Sequence, residues 1–174
     1  MPGGTVVFHD GEMEIRDVGG CTVWLREKLI APVEIHYEAM VVDEGKPGDR
    51  VSDLNCFWMA TDPRSPNHFF STEFHRTGKF EDYDALQTYY VGYGGNNNTT
   101  THFRRYAGDS TNPLLPEHDL RSPDVLLQPN RWYRTTLFDY ADPKFLESGY
   151  IGIRTVASHL RIRRITISSA RTVP

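Results

Sequence analysis

Tyr89-Tyr90-Val91-Gly92-Tyr93-Gly94-Gly95-Asn96-Asn97-Asn98-Thr99-Thr100-Thr101-His102-Phe103-Arg104-Arg105-Tyr106 reads as strand, glycine-asparagine turn, strand. Aromatic and β-branched residues fit a pleated, half-buried surface. Gly92, Gly94 and Gly95 permit positive backbone angles, and Asn96 to Asn98 tolerate the left-handed region better than most residues. Side chains alternate along a strand, so His102, Arg104 and Tyr106 share one face. Thr99, Thr101, Phe103 and Arg105 share the other, which is only weakly apolar. An imidazole, a guanidinium and a phenol in register suit a concave sheet face that binds an anionic, hydroxyl-rich ligand. A merely polar, flexible hairpin is the plainer reading.

Outward from this hairpin the chain reads as all-β. Cys21–Leu25, Val33–Val42, Val51–Ala60, Phe69–His75, Thr88–Tyr93 and His159–Ile167 have strand composition, most of them between Gly, Pro, Asn or Asp clusters. No window carries a convincing helical stripe. Many short strands with frequent turns predict a two-sheet sandwich or jelly roll. With no repeat or linker, residues 1–174 are expected to form one domain. In His159–Ile167 the apolar parity slips after Arg163, which predicts a bulge near Arg163-Arg164. Pro113, Pro116, Pro123 and Pro129 break up residues 114–130, which are read as a long loop able to close over a cleft.

The composition excludes several classes. The chain has 174 residues, a formal net charge of −4 and no long basic cluster, so nucleic acid is not an expected partner. Arg161, Arg163 and Arg164 are read as a solvated face or an anion-binding edge. No run approaches the ~18 apolar residues of a membrane span. Met1-Pro2-Gly3-Gly4 shows no leader character, so a cytoplasmic location is expected, or a periplasmic or secreted one if a leader was removed. Cys21 and Cys56 are read as buried free thiols. No HExxH, CxxC, GxSxG or P-loop motif is present. Neither a metal nor a cofactor is expected, and no acidic cluster has convincing calcium-ligand spacing.

Two further segments supply candidates. Ser71, Glu73 and His75 would share a strand face, where the carboxylate can orient the imidazole. In Val51–Ala60, Leu54, Cys56, Trp58 and Ala60 form one face, with Asp53, Asn55, Phe57 and Met59 on the other. A polar residue inside such a strand needs a partner or a polar cleft, so Asn55 is assigned to a cleft. Trp58 is assigned to the core. A paired-carboxylate glycosidase is weakly indicated, with Glu73 and Glu117 the best available pair.

The run Ser52–Ala60, the Tyr89–Tyr106 hairpin and the ending Arg154-Thr155-Val156-Ala157-Ser158-His159 resemble the DUF6250 group of bacterial proteins. These are similar to the YesU-type (DUF1961) proteins encoded among rhamnogalacturonan-degradation genes. The resemblance runs from about Gly11 to Ile167. It implies a concanavalin A-like β-jelly roll with a concave sheet, in a setting of acidic polysaccharide breakdown. One related ulvan-pathway protein is an oligosaccharide dehydratase.

On that basis the expected function is a lyase or hydro-lyase acting by β-elimination on uronate-containing oligosaccharides. Arg104 and Asn55 would neutralise the carboxylate, His102 or His75 would act as base and Tyr106 as acid. Tyr90, Asn96, Asn97, His118, Arg154 and His159 would contact the substrate. The alternative is a non-catalytic carbohydrate-binding jelly-roll module. The partner in either case is an acidic oligosaccharide or polysaccharide, and the oligomeric state is left open. The chain departs from the family pattern twice. His102 stands where the pattern has Arg. Only Thr135 and Thr136 separate Trp132-Tyr133-Arg134 from Leu137–Pro143, where a hairpin is normal. A hairpin missing near residues 134–137 would expose strand edges.

Overall fold

The computed structural model describes residues 4–169, so the expected domain extends past it only at residues 1–3 and 170–174. Eleven strands follow in order: β1 (Thr5–His9), β2 (Glu12–Arg16), β3 (Cys21–Trp24), β4 (Leu29–Ile30), β5 (Val33–Val41), β6 (Leu54–Thr61), β7 (Gln87–Gly94), β8 (Thr100–Ala107), β9 (Asp119–Leu120), β10 (Ser148–Thr155) and β11 (His159–Ser169). They form two sheets. The smaller is four-stranded, in the order β1-β2-β11-β5. The larger is seven-stranded, in the order β3-β10-β6-β7-β8-β9, with β4 also pairing β10. Every strand pairing is antiparallel. This is the all-β jelly-roll sandwich expected from the strand and turn spacing.

Period-two patterning places the core. Met13, Ile15, Val41, Leu160 and Ile162 from the smaller sheet pack against Leu54, Cys56, Tyr89, Tyr93, Phe103, Ile151 and Ile153 from the larger. Both cysteines are buried and free. Trp58 packs against this core, as expected. The far face of the larger sheet has a second apolar cluster of Phe57, Ala60, Phe69, Tyr83, Leu86, Tyr90 and Tyr106.

Two bulges adjust the parity. The one in β11 falls between Arg163 and Thr166, with Arg164 at φ 53°. It returns Ile167 to the packed side but leaves Ile165 exposed. The other lies in β6, where Met59 takes φ 53° and the pairing with β7 shifts between Trp58 and Thr61. Met59 therefore turns into the core and Ala60 joins the outer cluster, the reverse of simple alternation. Gly149 lies against the Met59 backbone so closely that a Cβ there would collide with main-chain atoms.

Residues 69–75 are not a strand. From Asp62 to Leu86 the chain is turns, bends and one short 3-10 stretch at Phe80–Tyr83. Its turn-formers Pro63, Ser65, Pro66 and Gly78 outweigh the strand propensity of Phe69 and Phe70. Asp62 anchors it. This buried carboxylate accepts hydrogen bonds from Arg64 (2.9 and 2.8 Å) and Arg76 (3.0 Å). The segment roofs the outer face of the larger sheet.

Residues 134–147 form no strand. Tyr133 makes one bridge to Ala39, and the chain then crosses to the larger sheet. There Asp142 accepts from the Tyr89 hydroxyl (2.7 Å) and Arg105 (2.5 Å). Four strands thus face seven, with a cavity of about 630 Å3 between the sheets. The loop at 114–130 contains two 3-10 turns, at Pro116–His118 and Pro123–Val125, and adds β9 to the sheet edge.

Candidate functional site: a polar row on the outer face of the larger sheet

Strand register assembles the candidate residues. Thr22 pairs with Arg154, Arg154 with Asn55, Asn55 with Gly92, Gly92 with His102 and His102 with Asp119. One row therefore runs across six strands, and its side chains all point away from the core. The next row holds Trp24, Gly152, Phe57, Tyr90 and Arg104. Asn55, Tyr90, His102, Arg104, Tyr106 and Arg154, expected from distant parts of the sequence, thus share one face. Glycine makes this possible at the centre. A Cβ on Gly92 would lie 2.7 Å from Cε1 and Nε2 of His102 and 3.1 Å from the Tyr90 hydroxyl. The imidazole rests over Gly92, its ring centre 5.7 Å from that of Tyr90.

The face is polar, enclosed and incompletely satisfied. Asn55 Oδ1, His102 Nδ1, Arg104 Nε, Arg154 Nε and the Tyr106 hydroxyl are all buried without a hydrogen-bond partner among the described residues. Such an atom costs about 1–3 kcal/mol, so several on one face call for a ligand or ordered water. Charge balance repeats the pattern. Arg16, Arg50, Arg64, Arg76, Arg105, Arg121, Arg161, Arg163 and Arg164 each meet a carboxylate. Arg104 and Arg154 are the arginines on the outer face of the larger sheet, and neither has a carboxylate partner among the described residues. The Arg104 guanidinium donates to Asn112 O. Arg154 donates to Gly78 O (2.9 Å) and lies over Phe80 and Tyr83, at 5.3 and 4.9 Å from their ring centres.

Burial and the neighbouring Arg104 charge push the His102 pKa down to about 4, against the opposing pull of Asp119 and Asp53. The imidazole is therefore neutral at pH 7. It can offer one donor and one acceptor, but it is a weak base. Burial raises the pKa values of Tyr90 and Tyr106, so both remain phenols. Tyr106 is fully enclosed. At the rim, Asp119 accepts from Thr100 and Arg121, which hold its carboxyl below the usual range. Asp53 receives Arg50 and Ser52, and Arg50 also donates to Asn97 Oδ1 (2.5 Å). Asn96, Asn97 and Asn98 all take positive φ in the β7–β8 turn, as their residue type allows. Both Asn96 and Asn97 are exposed, and Asn97 borders the rim through Arg50.

Three expected residues lie elsewhere. His75 sits in the irregular roof and lines a small pocket against β3 with Thr22, Trp24 and Arg76. Without a strand there, the expected Glu73–His75 face does not form. His118 turns to the inner side, edge-on to Phe103 at 5.1 Å and to Tyr140 at 5.6 Å. His159 belongs to the smaller sheet, where Glu14 (2.9 Å) and Asp49 (3.4 Å) flank it. Asp119 and Asn112 were missed. Asp119 is recognisable only once β9 is seen to pair with β8, and Asn112 contributes through its carbonyl, which carries no sequence signal. No group of three or more His, Cys, Asp or Glu residues placed to hold a metal ion occurs among the described residues. Nor is any helix among them long and apolar enough to cross a membrane.

Fold and site together define a two-sheet jelly roll with a polar row on its larger sheet, and the fold recurs in solved structures. A protein of unknown function with a galectin-like fold from Bacillus subtilis matches with a TM-score of 0.65 at 15% identity, over 96% of this chain and 86% of its own. The carbohydrate binding module CBM66 from Bacillus subtilis matches with a TM-score of 0.57 at 10% identity, over 95% and 92%. At these identities the likeness is one of fold. Among proteins of curated function, none matches this sequence. The family is defined by sequence. Residues 15–165 match the domain of unknown function DUF6250, and the chain belongs to that family.

Proposed function

We propose that this protein binds acidic carbohydrate through the outer face of its larger sheet, as a recognition domain that leaves the bound sugar intact. The observation that carries this reading is the set of unpartnered polar atoms around Asn55, His102 and Arg104, beside a guanidinium without a carboxylate. A sugar carboxylate would meet Arg104, and adjacent hydroxyls would meet Asn55 Oδ1 and the His102 ring. The fold shared with a carbohydrate binding module supports this reading. β-Elimination is less well served. Its base would be an imidazole of pKa about 4, and its acid a phenol with no exposed surface.

Calorimetric titration with oligouronates and with neutral oligosaccharides of matched length tests the proposal. Simultaneous ultraviolet absorbance would report any unsaturated product. The expected result is saturable binding of the uronates, no rise in absorbance, and affinity about 10–100-fold lower in Arg104→Ala. Equal affinity for both series, or none for either, would overturn it. A steady rise in absorbance would restore the elimination reading.

A further inference from the structure

Strand β5 is an edge of the smaller sheet, and its outward backbone groups are only partly used. Ala39 exchanges two hydrogen bonds with Tyr133 (3.1 and 2.8 Å), and Val41 O accepts from Asn130 N (2.8 Å). The backbone groups of Val33, Ile35 and Tyr37 point the same way, by the alternation of an antiparallel ladder. No backbone partner takes them up on that side among the described residues. The free window thus runs from Val33 to Tyr37, with Ile35 at its centre. Beside it opens the cavity between the sheets, lined by Val33, Ile35, Tyr37, Cys56, Trp58 and Phe103 among others. A bare edge next to open apolar space is a template for another strand.

The sequence of this window is complementary to itself. Turned about a two-fold axis through Ile35, a second copy sets Val33 opposite the partner's Tyr37 and Ile35 opposite the partner's Ile35. These are the positions with free backbone groups, so each pair would exchange both of its hydrogen bonds. On the solvent side the same register puts Glu34 opposite the partner's His36, at the close non-hydrogen-bonded positions where cross-strand pairs interact most. Both side chains are half or more exposed, and Glu34 already lies 3.6 Å from His36 within one copy. On the inner side, Val33, Ile35 and Tyr37 of both copies would line the cavity mouth. We infer that two copies of this chain associate through antiparallel pairing of their β5 strands, making one eight-stranded sheet from the two four-stranded ones. The self-matching register argues for a closed, isologous dimer rather than an open chain of subunits.

Sedimentation equilibrium of the intact protein from low micromolar to near-millimolar concentration tests this. The wild type should show a monomer–dimer equilibrium without larger species. Ile35→Pro removes an N–H that the ladder with β11 does not use, so the fold should survive as proline does on an edge strand. This variant should remain monomeric with an unchanged circular dichroism spectrum. Glu34→Lys should weaken the dimer roughly ten-fold, and adding His36→Glu should restore it, which tests the register independently of the proline. A wild type that stays monomeric throughout overturns the inference. So does a dimer unaffected by both Ile35→Pro and Glu34→Lys.

Discussion

Replacing Gly92 by alanine adds one methyl group under the imidazole of the proposed site and nothing else. The backbone of Gly92 is not in the left-handed region, so alanine adopts it without strain. Loss of glycine freedom in the unfolded chain alone would stabilise the protein by about 0.4–1 kcal/mol. Against this, the new carbon would lie 2.7 Å from two ring atoms of His102 and 3.1 Å from the Tyr90 hydroxyl. Ordinary contact is about 3.5–4.0 Å, so the ring must retreat by about 1 Å. Overpacking of that kind costs about 1–3 kcal/mol. The net loss of stability is therefore at most about 2–3 kcal/mol, a fall in Tm of no more than about 10 °C. Binding should suffer more visibly. A displaced His102 forfeits its hydrogen bond to the sugar, about 1–2 kcal/mol, or roughly 5–30-fold in Kd. Gly19→Ala is the control, because a Cβ there has nothing within 4 Å. Calorimetric Kd values for wild type and both variants decide the matter. Unchanged affinity in Gly92→Ala would show that the His102 position plays no part in recognition.

Lowering the pH should destabilise the protein through His102. Its pKa is about 4 in the fold and about 6.5 in the unfolded chain. Between those values the unfolded chain holds more protons, so stability is lost as the pH falls from about 6.5 to 4, by up to about 3 kcal/mol. Urea midpoints across that range should depend less on pH in His102→Gln, and identical slopes would contradict the assignment. Asp62→Ala strips Arg64 and Arg76 of their carboxylate and should cost about 3 kcal/mol, whereas Arg64→Ala, at an exposed partner, should cost under about 1 kcal/mol. Thermal melts of the two variants compare them. Gly149→Ala drives a Cβ into the Met59 backbone, where nothing flexible can yield, and should cost more than about 3 kcal/mol or prevent folding. Arg154→Met should lower Tm with little change in Kd for a uronate, the opposite of Arg104→Ala.

Side-chain faces are legible in the sequence where local periodicity and tertiary environment agree. In β8, alternation alone placed His102, Arg104 and Tyr106 on one face, and Asn55 and Arg154 joined them because their strands are neighbours. Faces are not legible where backbone conformation changes parity. The left-handed Met59 reversed the expected faces of Met59 and Ala60, and no residue type there announces a bulge. His75 was lost because a strand-like composition folded as roof, pinned by an Asp62 clamp whose members are two and fourteen positions apart. His118 and His159 were assigned by residue type. Only the fold shows that one serves an inner aromatic cluster and the other a carboxylate pair on the opposite sheet.

The two arginines on the outer face of the larger sheet, Arg104 and Arg154, differ in what their removal from water accomplishes. Arg154 is enclosed on every side by Gly78 O, Phe80 and Tyr83, and Thr22 adds a hydrogen bond to the Tyr83 hydroxyl at 2.9 Å. Gly20 and Gly78 touch through their backbones at the same point. That guanidinium ties the roof to β3 and β10, and its cation–π contacts stand in for an anion. Among the described residues, the Arg104 guanidinium donates only to the Asn112 carbonyl, and Asn112 in turn donates to Asp84 at 2.7 Å. Displacing residues 109–113 therefore breaks few bonds and uncovers a cation beside a neutral imidazole. Opening at Arg154 would dismantle the roof. On the proposed reading, a ligand entering over β8 between Asn112 and Asp119 would meet Arg104 and His102 first.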